Sequence, residues 1–104
     1  MPSVVIQITR FVDESFPGFV ECKLIDAKGE THIFIDKVPV VSLDALWSSS
    51  AYPCAGNIRC TVETEFKDES GRTLVRIDTE YPDHVESTSG DTHFVVASLQ
   101  IEDR

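Results

Sequence analysis

Histidines are the side chains of this sequence best suited to chemistry, because imidazole serves both metal binding and proton transfer. The three histidines, His32, His84 and His93, are far apart and form no HxH or HExxH pair of metal-binding spacing. His84 follows Asp83, and His93 lies two residues after Asp91, so these are the pairs placed for acid–base work. Because isolated histidines in polar loops are usually surface residues, we expect neither a metal site nor a catalytic centre.

The cysteines and serines are the other candidate nucleophiles. Cys22, Cys54 and Cys60 are odd in number and lack CxxC spacing, which favours reduced thiols; the alternative is one oxidised pair involving Cys60. Cys54 falls in a predicted loop and could react, although no histidine is near it in the sequence. The serine runs at 48–50 and 87–89 carry no GxSxG elbow, and no phosphate-binding glycine loop or EF-hand pattern occurs. The sequence therefore predicts no catalytic residues and no cofactor.

The charge balance indicates the class of partner. The 104 residues include 18 acidic and 9 basic side chains, a formal net charge of -9. Such a surface repels the phosphates of nucleic acids and of anionic lipids, so neither nucleic acid nor membrane is an expected partner. Opposite charge speeds encounter with a basic protein, which is therefore the favoured partner class. The alternative is that the excess carboxylates only maintain solubility.

Aromatic rings and carboxylates occur together in the predicted loops. Trp and Tyr dominate the energetics of many protein interfaces, and surrounding carboxylates would select a basic partner. For Trp47, which follows Leu43 and Leu46, packing onto the end of the domain is favoured over partner binding. The predicted partner-binding residues are Asp13, Glu14, Trp47, Tyr52, Glu65, Tyr81, Asp83, Glu86 and Asp91.

Most of the remaining segments alternate apolar and polar residues with the period of a half-buried strand. Pro and Gly punctuate the turns between them. Ser42 could cap a short helical turn at about 42–47. Strands are predicted at about 3–12, 19–26, 30–37, 58–67, 72–79 and 93–102, with long connections at 38–57 and 81–92.

The apolar pattern predicts the strand register of two hairpins. Four-residue loops pair Cys22 with Ile33 in the first hairpin and Val62 with Ile77 in the second. In both hairpins the apolar partners then fall on one face. The last strand is expected to bury Val95, Ala97, Leu99 and Ile101, and the outer faces of the hairpins are expected to carry Ile25, His32, Phe34 and Leu74.

Six amphipathic strands must bury their apolar faces against one another. The favoured architecture is a small six-stranded antiparallel β-barrel, closed or partly open, because closure also removes exposed sheet edges. A β-sandwich is the alternative. The length suits a single domain over residues 1–104. We find no secretory leader and no apolar run long enough to span a bilayer, so we expect a cytoplasmic protein.

Two stretches of the chain resemble segments of known proteins. The first combines residues 16–22 with 32–41, and the second combines residues 71–80 with 85–88. Together they resemble a group of small, stand-alone bacterial proteins of unassigned function. The strand layout is also similar to the small barrels that follow the GTPase domain in translation elongation factors, which implies a fold and not a function. In size and acidity the chain is similar to immunity proteins that neutralise basic nuclease toxins, which implies a protein partner.

Three functions are compatible with these observations. The favoured one is a non-enzymatic, acidic protein-binding domain that docks a basic partner, with an immunity-type inhibitor as its most specific form. The second is a small-molecule-binding barrel or enzyme with its site in the loops at 48–57 and 81–93, where His84, His93 or Cys54 would converge. The third is a self-associating structural protein, monomer or homodimer, in which the outward apolar residues of the hairpins mark a subunit interface.

Overall fold

The structure is a computed structural model that describes residues 1–104, and it is built almost entirely from strands. A single helical turn, α1, and one 3-10 turn, η1, interrupt them. The elements in chain order are β1 (Pro2–Asp13), β2 (Phe19–Ile25), β3 (Thr31–Lys37), α1 (Val38–Val41), β4 (Cys54–Arg59), β5 (Thr61–Lys67), β6 (Thr73–Asp78), β7 (His93–Ala97), η1 (Ser98–Gln100) and β8 (Ile101–Asp103).

The strands form two antiparallel sheets. Sheet A has the order β3-β2-β1-β4, with β8 also paired to β1, and sheet B has the order β5-β6-β7. The all-β class is therefore confirmed, but no closed six-stranded barrel forms. The arrangement is consistent with the sandwich alternative or with a partly open barrel.

Two of the predicted strands are each divided between the sheets. The predicted strand 58–67 breaks at Cys60, so that β4 ends in sheet A and β5 begins in sheet B. The Cys60 side chain is buried at this crossing, and its amide donates a 3.0 Å hydrogen bond to the carbonyl of Pro2. The predicted strand 93–102 is interrupted in the same way by η1. When a segment passes from one sheet to the other, its apolar composition does not change, so composition does not show where the strand breaks.

The register predicted for the first hairpin is wrong by one residue. Ile25 pairs with Thr31, so the turn between β2 and β3 holds five residues and not four. Cys22 consequently faces Phe34 instead of Ile33, and the Phe34 ring is fully buried. His32, predicted to point outward, lies opposite the buried Leu24 and is itself half-buried.

The second hairpin shows the same shift near its turn. Phe66 pairs with Leu74 instead of with Thr73. Leu74, predicted on the outer face, is buried, and so is its neighbour Val75. An irregularity between Val62 and Thr64 then absorbs one residue and restores the predicted pairing of Val62 with Ile77. Ile77 is buried as expected, but Val62 is 39% exposed because β5 is an edge strand. Of the three residues predicted to mark a subunit interface, Phe34 and Leu74 are buried, and Ile25, which is 47% exposed, is the one that lies outward as predicted.

The buried face of the last strand is also opposite to the prediction. β7 buries Phe94 and Val96, because these residues pair with the buried Ile77 and Val75 of β6. Leu99, expected in the core, is 94% exposed on η1. The predicted set of Val95, Ala97, Leu99 and Ile101 contains no fully buried residue.

The predicted inner faces of β1 and β2 are confirmed, and these faces form the centre of the core. The buried apolar residues of the two strands are Val4, Ile6, Ile8, Val20, Cys22 and Leu24.

The helical turn predicted at 42–47 is wrong. The helix is α1, and it ends at Ser42, whose amide donates a 2.9 Å hydrogen bond to the Val38 carbonyl. Val38 and Val41 of α1 pack onto the same core.

Substitution of Gly56 by alanine should destabilise the fold. A Cβ at Gly56 would lie 2.6 Å from the carbonyl oxygen of Val41 and 2.7 Å from Cδ1 of Ile8, because α1 packs closely on β4. We expect the free energy of unfolding to fall by about 1–3 kcal/mol, as for other overpacked sites, measured by urea denaturation. Ala55→Ser, at the exposed neighbouring position, should stay within about 0.5 kcal/mol of wild type. Equal stability of both variants would contradict this close approach.

Candidate functional site

The loop at residues 14–18 connects β1 to β2 at one end of sheet A. The Ser15 amide donates a 2.8 Å hydrogen bond to Oδ1 of Asp13, and the Gly18 amide donates a 2.7 Å bond to the Ser15 carbonyl. Gly18 has a φ of +90°, which glycine adopts at little steric cost. The Val38 amide donates a 2.9 Å bond to the Gly18 carbonyl and ties the loop to α1. The loop is therefore anchored at both ends, while its apolar side chains are left outside.

The loop at residues 42–52 follows α1 and is held by its own polar side chains. The Trp47 amide donates a 2.9 Å hydrogen bond to Oγ of Ser50, and the Ser50 amide donates a 3.1 Å bond back to the Trp47 carbonyl. The Tyr52 hydroxyl donates a 2.7 Å bond to the same carbonyl. Leu46 and the Tyr52 ring pack against the core. These contacts fix the backbone of Trp47 and not its indole ring.

Together the two loops form an apolar surface, the aromatic end surface, made of Phe16, Pro17, Leu43, Leu46 and Trp47. Phe16 is 97% exposed, Leu43 80% and Trp47 66%. Two shallow grooves of about 190 Å³ and 310 Å³ cross this surface and share four of its residues. The favoured prediction for Trp47, packing onto the end of the domain, is wrong because Leu46 occupies that place. Exposed apolar surface of this kind is typical of interaction sites.

The charges beside the aromatic end surface are acidic. Glu14 lines the smaller groove and Asp44 lines the larger one. No lysine or arginine lines either groove. Hydrogen bonds from the backbone and the side chain of Ser15 hold the pKa of the neighbouring Asp13 carboxyl below its ordinary value, so Asp13 keeps its charge. This end of the molecule therefore combines apolar contact area with negative charge.

The predicted partner-binding residues fall into two groups. Glu14 and Trp47 line one groove of the aromatic end surface, and Asp13 and Tyr52 adjoin it through hydrogen bonds with Ser15 and Trp47. Glu65 lies on the exposed strand β5, and no hydrogen bond or ion pair joins it or the connection at 81–92 to the first group. The remaining predicted residues, Tyr81, Asp83, Glu86 and Asp91, lie in that connection.

Asp83 and Asp91 have local roles in the long connection. Asp83 accepts two hydrogen bonds from the Arg59 guanidinium, at 2.7 Å and 3.0 Å, which also raise the pKa of Arg59. The Asp91 amide donates a 3.0 Å bond to Oγ of Ser87, and the Asp91 carbonyl accepts a 2.8 Å bond from the Ser87 amide. Buried Val85 anchors the segment, as its isolated apolar character suggests. The Asp83 carboxylate thus holds the connection to Arg59, whereas Asp91 contributes through its backbone.

Phe16 and Leu43, the two most exposed residues of the aromatic end surface, are not among the predicted partner-binding residues. Phe16 precedes Pro17-Gly18 in a turn, and Leu43 falls in the predicted helical turn that does not form. The available signal was a large apolar residue inside a turn. A turn leaves such residues exposed, and several of them side by side form an apolar patch of the kind that marks interaction sites.

A second concave site, the seam groove, lies where the tips of the two hairpins meet. It measures about 510 Å³, and the charged and aromatic residues of its lining include Asp26, Glu30 and His32 from the first hairpin, Asp68 and Arg72 from the second turn, and Arg76, His93 and Phe94 from sheet B. The His32 ring meets the Phe94 ring edge-on, with centroids 4.9 Å apart. Imidazoles, guanidinium groups and an aromatic ring are thus gathered in one depression.

Three hydrogen bonds between the sheets hold the seam groove together. The Ala27 amide donates a 2.9 Å bond to the Val95 carbonyl, and Nη2 of Arg72 donates a 2.9 Å bond to the Ala27 carbonyl. On the other side, Nε2 of Gln100 donates a 2.9 Å bond to the Ile25 carbonyl. The hairpin tip of sheet A is therefore fixed against β7 and η1.

The side chain of His32 has a structural partner in Asp26. Nε2 of His32 lies 2.8 Å from Oδ2 of Asp26, and both side chains are largely buried. Burial alone would raise the pKa of Asp26, but hydrogen bonds from His32 and from the amides of Glu30 and Lys28 outweigh it and lower the pKa. The pair closes the first hairpin at the edge of the seam groove.

The residues predicted for a small-molecule or catalytic site do not converge. Nδ1 of His84 lies 3.1 Å from Oε1 of Glu80, and the adjacent Asp83 is bound to Arg59 instead. His93 lines the seam groove, whereas Cys54 pairs with Ile8 in sheet A. The acid–base pairs predicted from sequence neighbours, Asp83 with His84 and Asp91 with His93, are therefore not formed.

All three cysteines are free thiols. Burial raises the pKa of Cys22 to about 12 and that of Cys60 to about 11. A thiol that stays protonated at neutral pH is a poor nucleophile. Cys22 and Cys60 therefore serve the core and not a reaction.

Comparison with protein-family models, curated proteins and solved structures finds no match for this chain. None of the helices has the length and apolar character needed to cross a membrane. The resemblances drawn from the sequence remain predictions.

Asp68, in the second hairpin turn, should titrate with a pKa of about 2, against an ordinary value of 3.8. The Ser70 hydroxyl and the Arg72 amide both donate to its carboxylate and favour the charged form. Because the folded-state pKa is the lower one, the resulting stabilisation is present above about pH 4 and is lost as the pH falls through about 2. A carboxyl-detected NMR titration measures the midpoint. Ser70→Ala should raise it, and a wild-type midpoint near the ordinary value would contradict the turn geometry.

Proposed function

We propose that this chain is a non-enzymatic, acidic protein-binding domain whose aromatic end surface docks a basic partner protein. The exposure of Phe16, Leu43 and Trp47 is the observation that carries the proposal. A folded domain gains stability by burying such residues, so leaving three of them together in water indicates a use in binding. Trp is also among the residues that dominate binding energy at interfaces.

The charge of the chain defines the chemistry of the partner. The net charge of -9 attracts a positively charged surface over a distance, which increases the rate of encounter. Glu14 and Asp44 flank the apolar contact at short range, and Arg104, whose guanidinium donates a 2.7 Å hydrogen bond to the Val40 carbonyl, lines neither groove. The expected partner therefore presents an apolar or aromatic protrusion surrounded by lysine or arginine.

Hydrogen bonds anchor both loops, so the aromatic end surface is present before a partner binds. This supports the proposal over one in which the surface forms only on binding. Hydrogen bonds from Tyr52 and Ser50 hold the Trp47 backbone, and the Val38 amide holds the loop that carries Phe16. Presenting the rings from a fixed backbone reduces the conformational entropy lost when a partner binds. Inhibition of a basic toxin, the immunity-type role, would use such a surface. The odd number of cysteines and their free thiols support a reducing compartment, the cytoplasm.

Alanine substitution of both Phe16 and Trp47 should strongly weaken binding to basic peptides. The probe is a set of peptides selected on the wild-type protein from a random displayed library. Selected peptides should combine lysine or arginine with an apolar residue, and the double variant should bind them at least about 30-fold more weakly, as for loss of one strong hot spot. Affinity is measured by calorimetry at two salt concentrations, and added salt should weaken wild-type binding.

Leu99→Ala is the matched control, because Leu99 is 94% exposed but lies on η1, outside the aromatic end surface. It should bind the selected peptides as wild type does. Urea denaturation should show that both variants remain folded. Selection of neutral or acidic peptides, or equal binding by the double variant, would refute the proposal. A dimer in sedimentation at high protein concentration would instead indicate that the surface binds another copy of the chain.

A further inference from the structure

Sheet B brings three side chains that commonly bind metals together: Glu63 from β5, Asp78 from β6 and His93 from β7. Asp78 and His93 are direct cross-strand partners. Glu63 is the extra residue at the irregularity between Val62 and Thr64, a feature that redirects side chains and is frequent beside functional sites. We propose that these three residues, the sheet B triad, bind a divalent transition-metal ion with a preference for Zn²⁺.

The spacing of the ligand atoms fits a shared ion better than a hydrogen bond. Nε2 of His93 lies 3.5 Å from Oδ2 of Asp78 and 3.6 Å from Oε2 of Glu63. Both distances exceed the roughly 2.7–3.2 Å typical of hydrogen bonds from nitrogen to oxygen. With zinc–ligand bonds of about 2.0–2.2 Å, neighbouring ligands of a tetrahedral site lie about 3.4 Å apart. The two observed distances are close to that value.

The other mixed cluster of the chain, Asp26, Glu30 and His32, provides an internal comparison. There the imidazole and the carboxylate are in direct contact, with 2.8 Å between Nε2 of His32 and Oδ2 of Asp26. Oδ1 of Asp26 is also occupied, because it accepts hydrogen bonds from the amides of Lys28 and Glu30. That cluster is already satisfied as part of a turn, whereas the sheet B triad leaves its ligand atoms separated.

Neighbouring groups hold two of the three ligands by the atoms that a metal would not use. Nδ1 of His93 lies 3.1 Å from Oγ1 of Thr92; when Nδ1 carries the proton and donates to this oxygen, the lone pair of Nε2 is free for a metal. The Glu80 amide donates a 2.8 Å hydrogen bond to Oδ1 of Asp78 and leaves Oδ2 directed toward His93. Outer contacts of this kind orient metal ligands and increase affinity.

The electrostatics and access of the sheet B triad also suit a cation. The carboxylates of Glu63 and Asp78 form no ion pair with any lysine or arginine, although Arg76 lines the same depression. This depression, about 430 Å³, adjoins the seam groove and includes Glu63 and His93 in its lining. Because Glu63 and His93 open onto this depression, a zinc ion held by three protein ligands keeps a coordination position there for water or for an atom of another molecule.

Calorimetric titration of the folded protein with ZnCl₂ tests the proposal. One Zn²⁺ should bind per chain, and both His93→Ala and Asp78→Asn should weaken binding at least about ten-fold, because each removes one ligand. His84→Ala is the matched control: His84 is also an exposed histidine beside a carboxylate, and its removal should leave Zn²⁺ affinity unchanged. Circular dichroism should show that all variants fold, and His93→Gln provides a second, more conservative substitution.

Two further measurements separate the sheet B triad from other binding modes. Zn²⁺ should shift the NMR signals of the His93 imidazole and not those of the His84 imidazole. Cys54→Ser should bind Zn²⁺ as wild type does, which excludes capture of the ion by the half-buried thiol. Absence of Zn²⁺ binding at micromolar concentrations, equal affinity in His93→Ala, loss of binding in Cys54→Ser, or tighter binding of Mg²⁺ than of Zn²⁺ would each overturn the proposal.

Discussion

Two five-residue hairpin turns set the register in which their strands begin to pair. Residues 26–30 and 68–72 both follow the pattern Asp-x-x-Gly-x, and in each turn the Asp carboxylate accepts hydrogen bonds from the amides of the third and fifth residues. The glycine has a φ of +83° in both, a conformation that is costly for other residues. Because the first turn holds five residues, β3 is displaced by one position and exchanges its faces, which brings Phe34 into the core. In the second hairpin the irregularity at Glu63 compensates for the extra turn residue, so β6 keeps Val75 and Ile77 buried and buries Leu74 as well.

The same two turns contact each other, and this contact creates the seam groove. Nε of Arg72, in the second turn, donates a 3.1 Å hydrogen bond to Oδ2 of Asp68, and Nη2 of the same side chain donates to the carbonyl of Ala27 in the first turn. β2 leads from the aromatic end surface to this seam over seven residues, a length of about 20 Å. The molecule therefore presents two separate surfaces of different chemistry. An apolar surface beside carboxylates suits a protein, and a concave surface with imidazole and carboxylate groups suits an ion or a small ligand.

The predictable parts of the fold are those in which one strand face is clearly more apolar. β1 and β2 satisfy this condition, and their buried faces follow from the period alone. β7 does not, since residues 94–97 are apolar on both faces, and its orientation is decided by the pairing of Phe94 with Ile77.

Of the functional sites, the sequence indicates Trp47 by its residue type, but the exposure of Trp47 depends on Leu46 taking the core position. The sheet B triad was not predictable, because its members are distant in sequence and meet only through the register of three strands.

An open architecture leaves β5 as an edge of sheet B, with all seven of its residues exposed. Unpaired amide and carbonyl groups along such an edge can recruit a strand from another molecule and start aggregation. Glu63 and Glu65 place like charges along this strand, and the irregularity at Glu63 disturbs its flatness. A second copy approaching edge to edge would meet this repulsion before any backbone contact formed. The acidic side chains therefore oppose fibrous assembly. A closed barrel would prevent such assembly by leaving no free strand edge, and acid conditions would remove the repulsion by protonating the carboxylates.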